Sequence, residues 1–110
     1  MAANYEEVAR AMILGRIGRE PETGRTSSGV MVCRLHIVNQ AGPASRPVRV
    51  AAYIKGEFAK RCGFNLHRGD LIEVVGDIGP QRSGVGYQEL LVTGEDVTLK
   101  QRAGQVAGAA

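Results

Sequence analysis

In the run PVRVAAYI (47–54) an arginine and a tyrosine, Arg49 and Tyr53, stand four residues apart with small apolar residues between them. Side chains alternate along an extended strand, so Arg49, Ala51 and Tyr53 share one face, and Val48, Val50 and Ala52 the other. The Val/Ala set suits a core, which leaves the guanidinium and the phenol ring projecting outward together. A cation that follows phosphates and a flat ring on which a base stacks are what a groove for an unpaired polynucleotide needs. The competing reading is an ordinary barrel tyrosine beside an arginine whose stem covers apolar surface.

Other residues offer the same chemistry. In VMVCRLHIV (30–38), Arg34 and His36 fall opposite Cys33, Leu35 and Ile37. They are either ligand contacts or solvent-facing residues near an oligomer edge. The stretch GREPETGRTSSG (18–29) holds almost nothing that belongs in a core; Arg16 and Arg19 bracket its start and Arg25 sits within it. Arg82 lies in the loop GPQRSGVG (79–86), and Tyr87 opens the last apolar run, where packing competes with stacking. Lys55, Lys60, Arg61 and Arg68 lie on or beside the helical segment that follows PVRVAAYI, where a charge run is more often a solvated face.

The layout of charge says more than the net value of +3. From Arg10 to Arg68 eleven basic residues stand against three acids, Glu20, Glu22 and Glu57, whereas from Asp70 to Asp96 six acids stand against Arg82 alone. Eleven of the fourteen cations are arginine, the side chain suited to bidentate phosphate contacts and to stacking on rings. Either the two halves meet in the fold and balance, or the basic half faces a polyanion.

Catalytic and metal chemistry finds little support. Cys33-x-x-His36 and Cys62-x4-His67 supply four zinc-type ligands, but strand alternation sends Cys33 and His36 to opposite faces. A Cys62–His67 nucleophile pair has no third orienting group. No G-x-x-x-x-G-K-[ST] run exists, and the adjacent Glu95 and Asp96 point to opposite faces of a strand. The expectation is a protein without enzymatic activity, without cofactor or metal, and with no small-molecule substrate. The two cysteines show no disulfide-framework spacing and point to a reducing compartment. The acidic start MAANYEEVAR argues against an export signal, and no apolar run is long enough to span a membrane.

The elements that must position these residues are short. At 110 residues the chain is one domain, and with five aromatic residues and no tryptophan its core must be mostly aliphatic. AMILGRI (11–17), VMVCRLHIV (30–38), PVRVAAYI (47–54), DLIEVVGDI (70–78) and YQELLVTGEDVTL (87–99) read as five strands. Within KGEFAKRCGFNLHRG (55–69), Phe58, Cys62 and Leu66 recur four apart with Ala59 alongside, the buried stripe of a short helix. Five strands with one helix between the third and fourth is the order of the OB-fold, a Greek-key barrel. The expected domain runs over 11–100, with an N-terminal extension at 1–10 and a flexible tail at 101–110.

These runs carry a family likeness. MILGRIGREPETGRTSSGVMVCRLHIV resembles the N-terminal half of the bacterial single-stranded-DNA-binding protein family, through Gly15 and Ile17, Glu20-Pro21-Glu22, Arg25, Ser28-Gly29, Val32, Leu35 and Ile37. PVRVAAYIKG resembles that family's W-H-R-V-V-x-F-G-K stretch, with Arg49 in register and Tyr53 at the phenylalanine. NLHRGDLIEVVGDI and Tyr87 continue the likeness to about residue 99. The family's usual stacking aromatics fall at Pro47 and near Pro43 and Ser83, none aromatic here, and QRAGQVAGAA lacks the acid and the aromatic of the family's tail tip. The resemblance implies non-catalytic binding of single-stranded DNA (RNA remains open) in replication, recombination or repair. It also implies a cytoplasmic, nucleoid-associated setting in bacteria and self-association as a homotetramer or dimer. The alternative is an adaptor on the same scaffold, of the primosomal replication protein N type, with weak or no nucleic-acid binding.

Overall fold

The computed structural model describes residues 10–40, 46–78 and 90–104. Six strands and one helix run in the order β1 (Arg10–Ile17), β2 (Glu22–Arg25), β3 (Met31–Asn39), β4 (Val48–Lys55), α1 (Glu57–Asn65), β5 (Leu71–Ile78) and β6 (Leu90–Gln101). Strand order in the sheet is β1-β5-β6-β4-β3-β2, and a further β1–β3 pairing joins the sheet back on itself. All pairings are antiparallel except β4 with β6, in which Tyr53 stands beside Thr93. This closed five-strand circuit, with α1 between β4 and β5, is the OB-fold expected from the order of runs.

Closure depends on a backbone crossing. β1 lies along β5 from Arg10 to Arg16 and turns onto β3 only at Arg16 and Ile17. Gly15 sits at that turn, where an added Cβ would lie 2.7 Å from both the Ile37 Cγ2 and the Val38 carbonyl oxygen. Only a residue without a side chain lets the strands approach so closely.

Inside the circuit, period-2 alternation builds the core: Cys33, Leu35 and Ile37 from β3, Val50, Ala52 and Ile54 from β4, and Ile72 and Val74 from β5. The helix closes one end, burying Ala59, Cys62 and Leu66 with Phe58 packed beside them, as its four-residue spacing predicts. Gly56 starts it with φ +84°, a value that favours glycine, and donates its N–H to the Met31 carbonyl at 2.8 Å. No helix among the described residues is long and apolar enough to cross a membrane.

Two expectations change. The glycine-rich stretch carries one strand more than the five expected: Glu22–Arg25 forms a four-residue strand that pairs with β3, from Glu22 beside Arg34 to Arg25 beside Met31. Backbone pairing with β3 supplies what its weak β-propensity does not. Of the tail expected over 101–110, Gln101 ends β6 and Arg102 and Ala103 bind a buried carboxylate, while 105–110 lie outside the described residues.

That carboxylate is Asp70, 1% exposed at the start of β5. It accepts the N–H groups of His67 (2.9 Å) and Ala103 (2.8 Å) and the Arg102 guanidinium (3.1 Å), while Arg102 also donates to the Asn65 carbonyl at the helix end. Burial alone would raise the Asp70 carboxyl; the two backbone donors and then Arg102 outweigh it and hold the group below its ordinary value. A folded value depressed in this way contributes stability that is present above the unfolded value near 3.9 and is lost as pH falls through the folded one. Denaturant melts are therefore expected to show an acid-side loss of stability that Asp70→Asn removes, at a cost of about 2–3 kcal/mol at neutral pH. An unchanged acid limb in that variant would contradict the latch.

Candidate nucleic-acid interface

The outward faces of β3 and β4 form a ladder fixed by backbone register. Its rungs are Val38 with Arg49, His36 with Ala51, Arg34 with Tyr53, and Val32 with Lys55. β2 lengthens two of them, setting Glu22 beside Arg34 and Gly24 beside Val32. Parity decides this arrangement: the apolar partners Cys33, Leu35, Ile37, Val50, Ala52 and Ile54 all enter the core, so the polar set must face out.

Five of the predicted residues thus meet on one surface: Arg34, His36, Arg49, Tyr53 and Lys55. Arg49 and Lys55 are exposed, and among the described residues neither has an ion-pair partner. Tyr53 is half-buried, with the Arg34 guanidinium carbon 5.4 Å from its ring centroid, a cation–π contact. Four residues of strand separate Arg49 from Tyr53 by about 13 Å. Ala51 between them is 1% exposed and forms a floor outside the apolar core.

Arg19 joins the same surface from the end of the β1–β2 connection. With His36, Arg49, Gly18, Val38 and Ala51 it lines a cleft of about 280 Å³. Glu22 stands at its margin, 3.9 Å from Arg19 Nη1 and 3.7 Å from His36 Nε2. Sequence reasoning treated Glu22 only as part of a motif; once β2 is known to be a strand, parity with Arg34 puts its carboxylate among the cations. Its neighbour Glu20 does different work, accepting the Arg68 N–H at 3.1 Å and lying 3.5 Å from His67 Nδ1.

Two predicted contacts fall elsewhere. Arg16 reaches away from β3 and β4, donating to the Gly69 carbonyl at 3.0 Å and Gln101 Oε1 at 2.9 Å. Arg25 stands beside Met31, and that parity puts it on the helix side of β2, with its guanidinium on the Gly29 carbonyl at 3.0 Å. The missing β2 strand is the reason: without its register, Arg25 had no assignable face. Arg82 and Tyr87 lie outside the described residues, as do Pro43 and Ser83, while Pro47 is exposed just before β4. Among the described residues the basic and acidic halves meet in an ion pair between Arg10 and Asp77 at 3.8 Å.

Both cysteines are buried. Burial pushes the Cys33 thiol up to about 11, with the neighbouring Cys62 adding to it, and burial pushes Cys62 to about 11 as well. Neither is a thiolate at neutral pH. Among the described residues no three His, Cys, Asp or Glu side chains are grouped to hold a metal ion.

No family model matches the chain, and no curated protein sequence does. Solved structures do match. The mitochondrial single-stranded DNA binding protein of S. cerevisiae superposes with a TM-score of 0.76 at 18% identity, over 89% of this chain and 99% of that one. The wild-type single-stranded DNA binding protein from Thermus aquaticus gives 0.70 at 20% identity, over 92% of this chain and 44% of that one. The chain has the fold of single-stranded-DNA-binding proteins. At this level of identity the fold is what is shared, and the ladder residues must carry any argument about binding themselves.

Glu22 supplies a direct check on the electrostatics of the surface. Glu22→Gln removes the carboxylate that, among the described residues, stands with these cations and is expected to tighten binding to a polyanion about threefold at low salt, with later elution from a heparin column. Earlier elution would mean that the carboxylate is needed to organise Arg19 and His36.

Proposed function

We propose that this protein binds single-stranded DNA without catalysis, along the β3/β4 face, in replication, recombination or repair. The observation that carries the reading is the registered ladder in which Arg49, His36, Arg34, Tyr53 and Lys55 stand outward on adjacent rungs. Cations spaced along two strands follow a phosphate backbone, and Tyr53 gives a base a ring to stack on. Single strands are preferred because their bases are free to stack; RNA offers the same faces and is an outcome of the test. The neighbours' named ligand agrees with this chemistry. A cytoplasmic, nucleoid-associated setting follows from the same reading.

With no tryptophan in the chain, stacking contributes less here and counterion release more. Fluorescence anisotropy with dT oligomers at two salt concentrations is the test. Affinity is expected to be moderate, tolerant of sequence, and steeply salt-dependent, with a log–log slope of about −0.7 for each phosphate neutralised. Tyr53→Ala is expected to cost about 1–3 kcal/mol, and Arg49→Ala to reduce the salt slope by roughly one phosphate's share. Absence of binding at low salt would favour the adaptor reading.

Self-association as a dimer or tetramer belongs to the same proposal. From Arg10 to Gly15 one edge of β1 has no strand partner among the described residues, and Met12 (66% exposed) and Leu14 (44%) stand outward beside it. An open edge with apolar side chains is a template for pairing with a second copy. Sedimentation of the native chain should show an oligomer that Met12→Glu with Leu14→Glu dissociates; a native monomer would end this part of the proposal.

A further inference from the structure

The most exposed large apolar side chain among the described residues is Phe64, at 73%. It lies on the last turn of α1, far from any role in the core, which takes Phe58 instead. Lys60 sits one turn earlier on the same side of the helix. With Thr23, Met31 and Gly63 the two line a hollow of about 310 Å³ between α1 and the β2–β3 hairpin. Gly63 is what lets the walls approach: a Cβ there would come within 2.4 Å of Thr23 Cγ2. Arg25, paired with Met31, stands on the same side of β2 as this hollow.

We propose that this hollow is a second single-strand contact, reached by a polynucleotide that leaves the β3/β4 face over the β2 edge at Gly24. The inference rests on the reading of the β3/β4 face given above. A flat ring beside Lys60, with Arg25 on the same side of β2, repeats on the helix side the pairing of stacking surface and cation found around Tyr53. Glu57 is the only acid on α1, and it lies two helical turns from Phe64.

The route is set by side-chain size and charge. β2 is the free edge of the sheet, and its outward face carries only Glu22 and Gly24. Glu22 opposes a phosphate. Gly24 presents no side chain, has open space around its Cβ position, and lies on the rung of Val32 and Lys55. A strand passing Tyr53 and Lys55 therefore crosses the edge at its lowest and least negative point, and Arg25, Lys60 and Phe64 meet it beyond.

Two variants test this in the full chain, with labelled dT oligomers of about 6 and about 30 nucleotides, the first within one barrel's site and the second beyond it. Phe64→Ala removes an exposed ring. Gly24→Glu sets a carboxylate on the crossing, at a position with free space and no positive φ, so both proteins are expected to fold as the native one does. Phe64→Ala is expected to weaken the long oligomer about tenfold while leaving the short one unchanged, and Gly24→Glu to weaken the long one about tenfold more than the short one. If the native chain binds both lengths and neither variant changes the long one, the hollow is not a nucleic-acid contact. A shift in sedimentation on Phe64→Ala without any change in DNA binding would assign it to a second copy of the chain, and equal weakening of both lengths would also overturn the proposal. If the native chain binds neither length, the β3/β4 reading fails and this inference fails with it.

Discussion

The close approach of β1 to β3 at Gly15 governs the rest of the molecule. It allows one strand to lie along β5 and finish on β3, and two hydrogen bonds then lock the seam: Ile17 N–H to the Asp70 carbonyl at 3.0 Å and Gly69 N–H to the Ile17 carbonyl at 2.8 Å. Once the circuit is shut, every strand has one face inside and one outside, and no side chain is free to choose. Arg49, Tyr53, Arg34 and His36 are presented together because Val50, Ala52, Leu35 and Ile37 are required within. The surface chemistry is the complement of the packing.

The same seam gathers the polar work of the fold. Asp70, one residue before β5, receives donors from the turn before it and from the end of β6, and Arg102 carries that connection to the last carbonyl of α1. Strand closure, helix end and chain exit from β6 are thus joined through one carboxylate. Among the described residues, Arg49 and Lys55 on the β3/β4 face take no part in this cluster.

Much of this was legible in the residues. Alternation in VMVCRLHIV and PVRVAAYI was strict enough to separate core from surface, and the four-residue spacing of Phe58, Cys62 and Leu66 announced the helix. What escaped were features set by pairing between segments. ETGR has no apolar pattern, so nothing in it foretold a strand, and without that strand neither the helix-side place of Arg25 nor the outward place of Glu22 could be known. Arg16 alternated correctly, yet its guanidinium follows hydrogen-bond acceptors on β5's approach and β6, a choice no local pattern encodes. Asp70 looked like one acid among six; its importance comes from three donors that are distant or turn-bound.

The sheet order carries a consequence for how the molecule is made. β6 is the last strand among the described residues but lies in the middle of the sheet, between β5 and β4. Until it arrives the chain consists of two half-sheets with raw hydrogen-bonding edges, held together mainly where β1 touches β3. Its pairing with β4 is parallel and its pairing with β5 antiparallel, so insertion must satisfy both registers at once. Contacts this distant in sequence are slow to form, and the nascent protein is at its most adhesive in the interval before β6 fills the gap.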